Sequence, residues 1–118
     1  MKIGELAQIA QCTVETVRYY EKEGLLPAPA RTVANYRSYS NAQVDRLRFI
    51  RNCRALDMTH EEIRTLLGFI DQSTGDCGVV NQLLDEHIAH VDVRINELFQ
   101  LKQQLNELRQ RCQSEQAM

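Results

Sequence analysis

Two cysteines, Cys77 and Cys112, stand at the two ends of the longest helical pattern in this 118-residue chain. Thiolates select soft or borderline ions such as zinc, cadmium, lead and mercury over magnesium or calcium. A helix joining the two cysteines would hold them roughly 50 Å apart, so they cannot share an ion within one chain. If two chains pair antiparallel, Cys77 of one lies beside Cys112 of the other, which predicts a thiolate pair at each end of a dimer.

The pattern between the cysteines fits a helix that pairs with a second copy of itself. The centre of its apolar stripe and the midpoint of the two cysteines agree to within about two residues, as an antiparallel pair requires. The stripe follows steps of three and four residues, and its members are Leu84, Ile88, Val91, Ile95, Leu98, Leu101, Leu105 and Leu108.

Two histidines on the same helix, His87 and His90, lie three residues apart and share a face. With Glu62 and Asn81 as further donors, they are candidates for a second, imidazole-rich metal site. The alternative is that both histidines are exposed residues flanking the apolar stripe.

A different constellation near the N-terminus combines arginine, tyrosine and threonine. An arginine can fork onto a guanine edge or a phosphate, and a tyrosine hydroxyl typically donates to phosphate. The alternative is that one tyrosine packs in the core and several arginines form a solvated face. The candidates for DNA contact are Thr16, Arg18, Tyr19, Tyr20, Arg31, Tyr36, Arg37 and Arg54.

Two short helices around a tight turn should position the DNA candidates. The first is predicted from Ile3 to Ile9, and the second is capped by Thr13 and ends at about Glu23, before Gly24. This spacing is typical of a helix-turn-helix. Residues 35–39 are predicted to form a small hairpin or wing.

Three further helices should follow the wing. Capping boxes at Ser40 and Thr59 predict helices that end near Leu56 and Ile70, and the long helix is expected from about residue 79 to 111. The predicted fold is mainly α, with a winged helix-turn-helix domain and a long antiparallel coiled-coil dimerisation helix. We expect the DNA-binding domain with its following helices at 1–70, a metal-site loop at 71–78, the dimerisation helix at 79–112, and a flexible or truncated tail at 113–118.

Composition and charge agree with a DNA-binding protein. Residues 1–60 carry nine Lys and Arg against six Asp and Glu, whereas residues 61–118 carry five against ten. The basic half could face an anionic polymer.

The sequence has no apolar run of membrane-spanning length and no signal-peptide pattern, so a cytoplasmic protein is expected. No nucleophile, base and orienting acid can be assembled locally, so we do not expect an enzyme. Of the remaining cysteines, Cys12 and Cys53 fit core packing better than metal binding.

Several segments together resemble the MerR family of transcription regulators: Ile3-Gly4-Glu5-Leu6-Ala7, Thr16-Val17-Arg18-Tyr19-Tyr20-Glu21, Gly24-Leu25-Leu26-Pro27 and Asn35-Tyr36-Arg37-Ser38-Tyr39. The resemblance implies an antiparallel homodimer that binds double-stranded promoter DNA and affects RNA polymerase indirectly, through the promoter. It also implies that effector binding twists and bends the operator, so that activation works by DNA deformation. By the same match, Arg18, Tyr19, Tyr36 and Arg37 contact DNA.

Within the family, a cysteine at position 77 is similar to the sensors of divalent ions. The segments Asp76-Cys77-Gly78 and Arg109-Gln110-Arg111-Cys112 most closely resemble the cadmium- and lead-responsive branch, so a soft divalent metal is implied, cadmium or lead before mercury or zinc. Those relatives carry a third cysteine after the second, and here the third ligand would be Glu115, water or a group beyond a shortened chain. The alternatives are a thiol-redox or other-ligand regulator of the same family, or a metal-buffering coiled-coil protein.

Overall fold

The computed structural model describes residues 1–29, 38–72 and 77–117. Every regular element in these ranges is an α-helix and none is a strand, which confirms the mainly α fold. The helices are α1 (Ile3–Ile9), α2 (Val14–Lys22), α3 (Asn41–Ala55), α4 (His60–Gln72) and α5 (Cys77–Ala117). The predicted wing falls mostly on residues 30–37, which lie outside the described ranges.

The predicted helix starts are confirmed by their caps. Thr13 accepts a hydrogen bond from the Thr16 backbone N–H at 3.1 Å, which fixes the first turn of α2. Ser40 and Gln43 form the capping box of α3. At α4, Thr59 N–H donates to the Glu62 carboxylate at 2.9 Å and Glu62 N–H donates to the Thr59 hydroxyl at 3.1 Å.

Three helices end in the same backbone motif, in which one residue takes a left-handed conformation and two N–H groups bond back to the last turn. After α2 that residue is Gly24, with φ of 77°. After α1 and α3 it is Gln11 and Asp57, with φ of 58° and 62°. In each case the following N–H reaches a carbonyl five residues back, as in Cys12 N–H to Ala7 O at 2.9 Å. The turn at Gln11 sets the angle at which α2 leaves α1.

Residues 1–80 form one compact unit. Its core is made of side chains that are almost completely removed from water, and burial of each contributes roughly 1.5–3 kcal/mol. The largest of them are Leu6, Val17, Leu25, Leu26, Leu47, Ile50 and Ile63. The helix-turn-helix is therefore held from behind by α3 and α4.

Arginines of α3 join this unit together through backbone carbonyls. Arg46 Nε donates to Leu25 O at 3.2 Å and Arg48 donates to Ile9 O at 3.3 Å. Arg51 donates to Ala10 O, and Arg54 to Met58 O. These carbonyls lie at or just beyond helix C-terminal ends, where an approaching cation is favoured. The arginine-rich face of α3 thus has a structural task in addition to any contact with DNA.

Arg46 also forms a bidentate ion pair with Asp71 of α4, with N–O distances of 2.6 and 2.8 Å. The hydrogen bonds from Arg46 lower the pKa of Asp71 below its ordinary value of 3.8. Because the pKa of Asp71 is lower in the folded chain than in the unfolded chain, the ion pair stabilises the fold at pH values above the ordinary pKa of 3.8. This contribution to stability is lost as the pH falls through the lowered pKa of the folded chain.

We therefore expect Asp71→Asn to lower the Tm at pH 7 by roughly one to three degrees, since exposed pairs contribute little. The difference from the native chain should shrink as the pH is lowered below about 4. Thermal unfolding followed by circular dichroism from pH 7 to pH 3 measures it. Asp45→Asn removes an equal charge from an exposed residue of α3 and should leave the Tm unchanged; a pH-independent loss would show that the ion pair is not responsible.

The long helix α5 begins two residues earlier and ends six residues later than predicted. From residue 81 onward it forms a unit of its own. Seven of the eight stripe residues are between 36% and 58% exposed, and Val91 is half-buried. An isolated helix with such a stripe leaves a large apolar surface in water. None of the described helices combines the length and the apolar character that a membrane span requires.

Candidate DNA interface and metal centre

The outer face of α2 presents two of the predicted DNA-contacting residues. Arg18 and Tyr19 are exposed, and within the described ranges the Arg18 side chain makes no hydrogen bond or ion pair. Thr16 is half-buried, and its hydroxyl lies 2.9 Å from that of Thr13. Tyr20 is only 8% exposed, so it is the tyrosine that packs in the core. The guanidinium of Arg18 is therefore the α2 group best placed to bind a base edge or a phosphate.

Aromatic contacts support the Tyr19 ring. Its centroid lies 5.7 Å from that of Tyr20 and 5.7 Å from the ring of His60, the first residue of α4. The Tyr20 and His60 rings are also 6.3 Å apart in an edge arrangement. Such tilted aromatic contacts restrict ring orientation. Sequence alone does not reveal this cluster, because His60 is distant from α2 along the chain.

A groove of about 430 Å³ opens beside the N-terminus of α2. Free N–H groups and the helix dipole make such a terminus favourable for an anion. Two guanidinium groups line the same groove, so its chemistry suits a DNA phosphate. The residues lining it are Gln11, Cys12, Thr13, Thr16, Tyr20, Arg51, Arg54 and Ala55. Arg54 is the predicted DNA-contacting residue outside α2 that the structure places here.

The remaining DNA candidates, Arg31, Tyr36 and Arg37, lie outside the described residues.

The four cysteines divide into two pairs with different surroundings. Cys77, the first residue of α5, and Cys112, near its other end, are both exposed thiols. Cys53 is buried and Cys12 half-buried. Burial raises the pKa of Cys53, and it raises that of Cys12 against the opposing effect of Arg51. Because the thiolate is the metal ligand, the buried pair is the less suited to bind metal.

Within one chain, the described residues do not bring a full set of metal ligands together. Among residues 1–29, 38–72 and 77–117, no three His, Cys, Asp or Glu side chains are grouped so that they could hold a metal ion. Glu115, named above as a third ligand, is exposed and lies one helical turn beyond Cys112. Cys77 and Cys112 themselves stand at opposite ends of the 41-residue α5.

Of the four residues predicted to form a second metal site, two histidines lie next to each other in the structure. The rings of His87 and His90 lie 5.5 Å apart and nearly perpendicular. His87 is buried, whereas His90 and Asn81 are exposed. The Glu62 carboxylate accepts the Thr59 N–H of the α4 capping box. The four-residue site stays a prediction.

Comparison with known proteins identifies the family. The sequence profile described as MerR HTH family regulatory protein matches residues 1–69, and that described as MerR, DNA binding matches residues 44–108. The chain belongs to the MerR family. Membership confirms the predicted fold class, a winged helix-turn-helix domain followed by a long coiled-coil helix. It also confirms that the chain is a DNA-binding transcription regulator and not an enzyme.

Three relatives are similar over nearly the whole of this MerR-family chain. A ZntR homolog from Haemophilus influenzae is 47% identical over 97% of this chain and 84% of its own length. The mercuric resistance operon regulatory protein of Bacillus cereus is 39% identical over 94% and 84%. The crystal structure of PbrR691 from Ralstonia metallidurans CH34, in complex with lead(II), is 52% identical over 93% of this chain and 85% of that one, with a TM-score of 0.65.

Proposed function

We propose that this MerR-family chain is a metal-responsive transcription regulator that binds promoter DNA as a homodimer. In this proposal a soft divalent metal binds thiolates at the dimer interface, and the dimer then distorts the operator so that transcription is activated. The observation that carries the proposal is the position of two exposed cysteines, Cys77 and Cys112, on an α5 helix whose apolar stripe is also exposed.

The dimer follows from the exposed stripe. Apolar residues at steps of three and four on a long helix bury their surface against a like helix. An antiparallel arrangement brings the start of one α5 beside the end of the other, because the stripe and the cysteine pair share nearly the same centre. The proposed dimerisation helix covers residues 79–112 and the proposed DNA-binding domain residues 1–70. The proposed metal-site segment, residues 71–78, begins in the last residues of α4 and ends in the first turn of α5, so its two ends are helical and not loop.

The metal class follows from the donor chemistry. Two thiolates, Cys77 from one chain and Cys112 from its partner, would hold a soft ion, and Glu115 or water would complete the site. The chain's similarity to PbrR691, solved with lead(II), supports cadmium or lead as the effector. Its similarity to the mercuric resistance operon regulatory protein keeps mercury as a candidate, and zinc stays one because thiolates also bind it.

The DNA interface is proposed to centre on α2. Arg18 and Tyr19 would enter or border the major groove, while the groove at the α2 N-terminus would hold a phosphate between its N–H groups and Arg54. Thr16, which also lines the protein groove at the α2 N-terminus, would donate a hydrogen bond from its hydroxyl to the DNA phosphate backbone. Arg31, Tyr36 and Arg37 are proposed as further contacts from the wing, and Tyr20 would support this face from beneath.

The experiment that tests the whole proposal is transcription in vitro from a promoter that contains operator DNA selected from a random-sequence pool. Cadmium, lead, mercury and zinc are added separately, and the effector is the metal that raises transcript yield at the lowest free concentration. The affinity of the dimer for the operator should stay about the same with and without that metal. Metal-insensitive transcription with a bound dimer would favour the redox or other-ligand alternative.

Arg18→Ala should weaken operator binding by roughly 5- to 150-fold, which corresponds to about 1–3 kcal/mol for a lost bidentate base contact. Fluorescence anisotropy with a labelled operator, at one fixed salt concentration, measures the change. Arg94→Ala is the matched control, because Arg94 pairs with Glu97 on α5 and its loss removes the same charge. Unchanged affinity in Arg18→Ala would rule out the assigned face of α2.

A further inference from the structure

Tyr39, two residues before α3, links three separate parts of the DNA-binding unit. Its backbone N–H donates to Met1 O at 2.7 Å, and the Met1 amino group donates to Tyr39 O at 2.7 Å. This reciprocal pair is one rung of the kind found between antiparallel strands. The next residue, Ser40, is the N-cap of α3. The backbone at Tyr39 is therefore fixed both to the chain that leads into α1 and to the start of α3.

The side chain of Tyr39 extends the link to α2. The ring is buried at 3% exposure, and its hydroxyl donates to the Glu21 carboxylate at 2.5 Å. A short hydrogen bond to an ionised acceptor is among the stronger ones in proteins, about twice the strength of a neutral one. Glu21 is half-buried, which limits competition from water.

Glu21 lies three residues after Arg18, almost one turn further along α2. A bond that holds Glu21 also restricts rotation of α2 about its axis, and this rotation sets the direction in which Arg18 points. Misplacement of a recognition side chain by a fraction of an ångström weakens a bidentate contact, because both hydrogen bonds must be made at once. Tyr39 itself is too buried to touch DNA.

We infer that Tyr39 and Glu21 are positioning residues for operator binding, acting on DNA affinity through the orientation of α2. The inference rests on the proposed assignment of Arg18 as a DNA-contacting residue. The Tyr39–Glu21 bond also ties the segment that enters α3 to the helix that carries Arg18.

Charge makes the test of this pair decisive. Removal of a carboxylate from a DNA-binding unit should by itself strengthen binding to a polyanion. If Glu21 positions α2, Glu21→Ala should instead weaken operator binding by about three- to tenfold, less than the full worth of a hydrogen bond to a charged group because the bond acts on Arg18 only through α2. Glu5→Ala on α1, which removes the same charge from an exposed residue, should bind the operator as tightly as the native chain or slightly more tightly.

Substitution of Tyr39 is the second part of the experiment. Tyr39→Phe should also lose affinity, and the double variant should lose less than the sum of the two single losses, since both substitutions remove the Tyr39–Glu21 bond. Glu21→Gln keeps an acceptor oxygen and should stay within about twofold of the native chain. Thermal unfolding of each variant, with a Tm well above the assay temperature, confirms that the fold is intact; if Tyr39→Phe does not fold, the two Glu21 variants still decide.

Salt dependence separates positioning from direct contact. In all variants the slope of log affinity against log salt should match that of the native chain, because no phosphate contact is lost. A slope reduced by about one in Tyr39→Phe would mean that a cationic side chain has lost a phosphate contact, so that the substitution does not act by turning Arg18 at a base edge, and would overturn the inference. Unchanged affinity in Tyr39→Phe and Glu21→Ala, while Arg18→Ala binds weakly, would overturn the inference alone. If Arg18→Ala also binds normally, the assigned DNA face fails as well.

Discussion

Cys112→Ser is expected to abolish metal-induced transcription while operator affinity stays within about twofold of the native value, because the substitution removes a metal ligand and not a DNA contact. A serine hydroxyl is a poor ligand for soft ions, and loss of one of two thiolates should weaken metal binding by at least about 100-fold. Cys112 is exposed on α5, so the change should not disturb the core. Transcription in vitro over a metal titration, beside anisotropy on the same operator, measures both quantities.

The other cysteines are the controls for this result. Cys77→Ser should behave as Cys112→Ser does, since each site is proposed to need both thiolates. A Cys12→Ser, Cys53→Ala double variant keeps the exposed pair and should respond to metal normally. A response that survives in Cys112→Ser would contradict the assigned site.

A mixed dimer tests whether the site is shared between chains. When Cys77→Ser and Cys112→Ser chains are combined, an antiparallel heterodimer contains one end with both native cysteines and one end with neither. Such a dimer should bind one metal ion with nearly native affinity, whereas each homodimeric variant should bind none tightly. If instead each chain held its own metal ion, mixing the two variants could not restore binding.

The helices of this chain could be predicted from sequence wherever a side chain decided the outcome locally. Thr13 and Thr59 cap helices with hydroxyls that accept from N–H groups three residues ahead, whereas the backbone N–H and hydroxyl of Ser40 both donate to the Gln43 side chain. Each helix begins where its cap predicts. Gly24 ends α2 because glycine takes the left-handed conformation without strain. The same conformation at Gln11 and Asp57 could not be foreseen, since neither residue type requires it and tertiary packing decides.

The end of α5 shows a different limit. The apolar stripe stops at Leu108, and periodicity therefore predicted an end near Arg111. The helix continues to Ala117 because no glycine or proline follows, and Gln, Glu and Ala all favour helix. Stripe periodicity reports what a helix face buries, while composition determines how far the backbone stays helical.

The candidate site was predictable as a set of residue types but not as a set of roles. Arg18 and Tyr20 stand two residues apart in sequence, yet one is exposed and the other buried. Arg46 and Arg51 could equally have faced DNA, until their bonds to Leu25 O and Ala10 O were visible. These partners lie 21 and 41 residues away along the chain, a range at which no local pattern carries information.

The apolar stripe leads to the second large prediction. Leu98 lies close to the centre of the stripe, and in an antiparallel homodimer a central residue meets its own counterpart near the two-fold axis. Leu98→Asp should therefore place two carboxylates near each other in an apolar seam and remove two buried leucines. Together these changes should weaken dimerisation by at least about 100-fold. Sedimentation velocity over a concentration series measures the shift to monomer.

Operator binding should fall with the dimer, because a monomer engages only one half-site and loses the gain in effective concentration from joining two. The helix itself should remain, and circular dichroism should show most of its signal. Gln100→Asp is the matched control: Gln100 is exposed on the face of α5 opposite the stripe, so the same added charge should leave both the dimer and operator affinity intact. A Leu98→Asp chain that stays dimeric would show that the stripe is not the dimer interface, and the shared thiolate site would then lose its geometric basis.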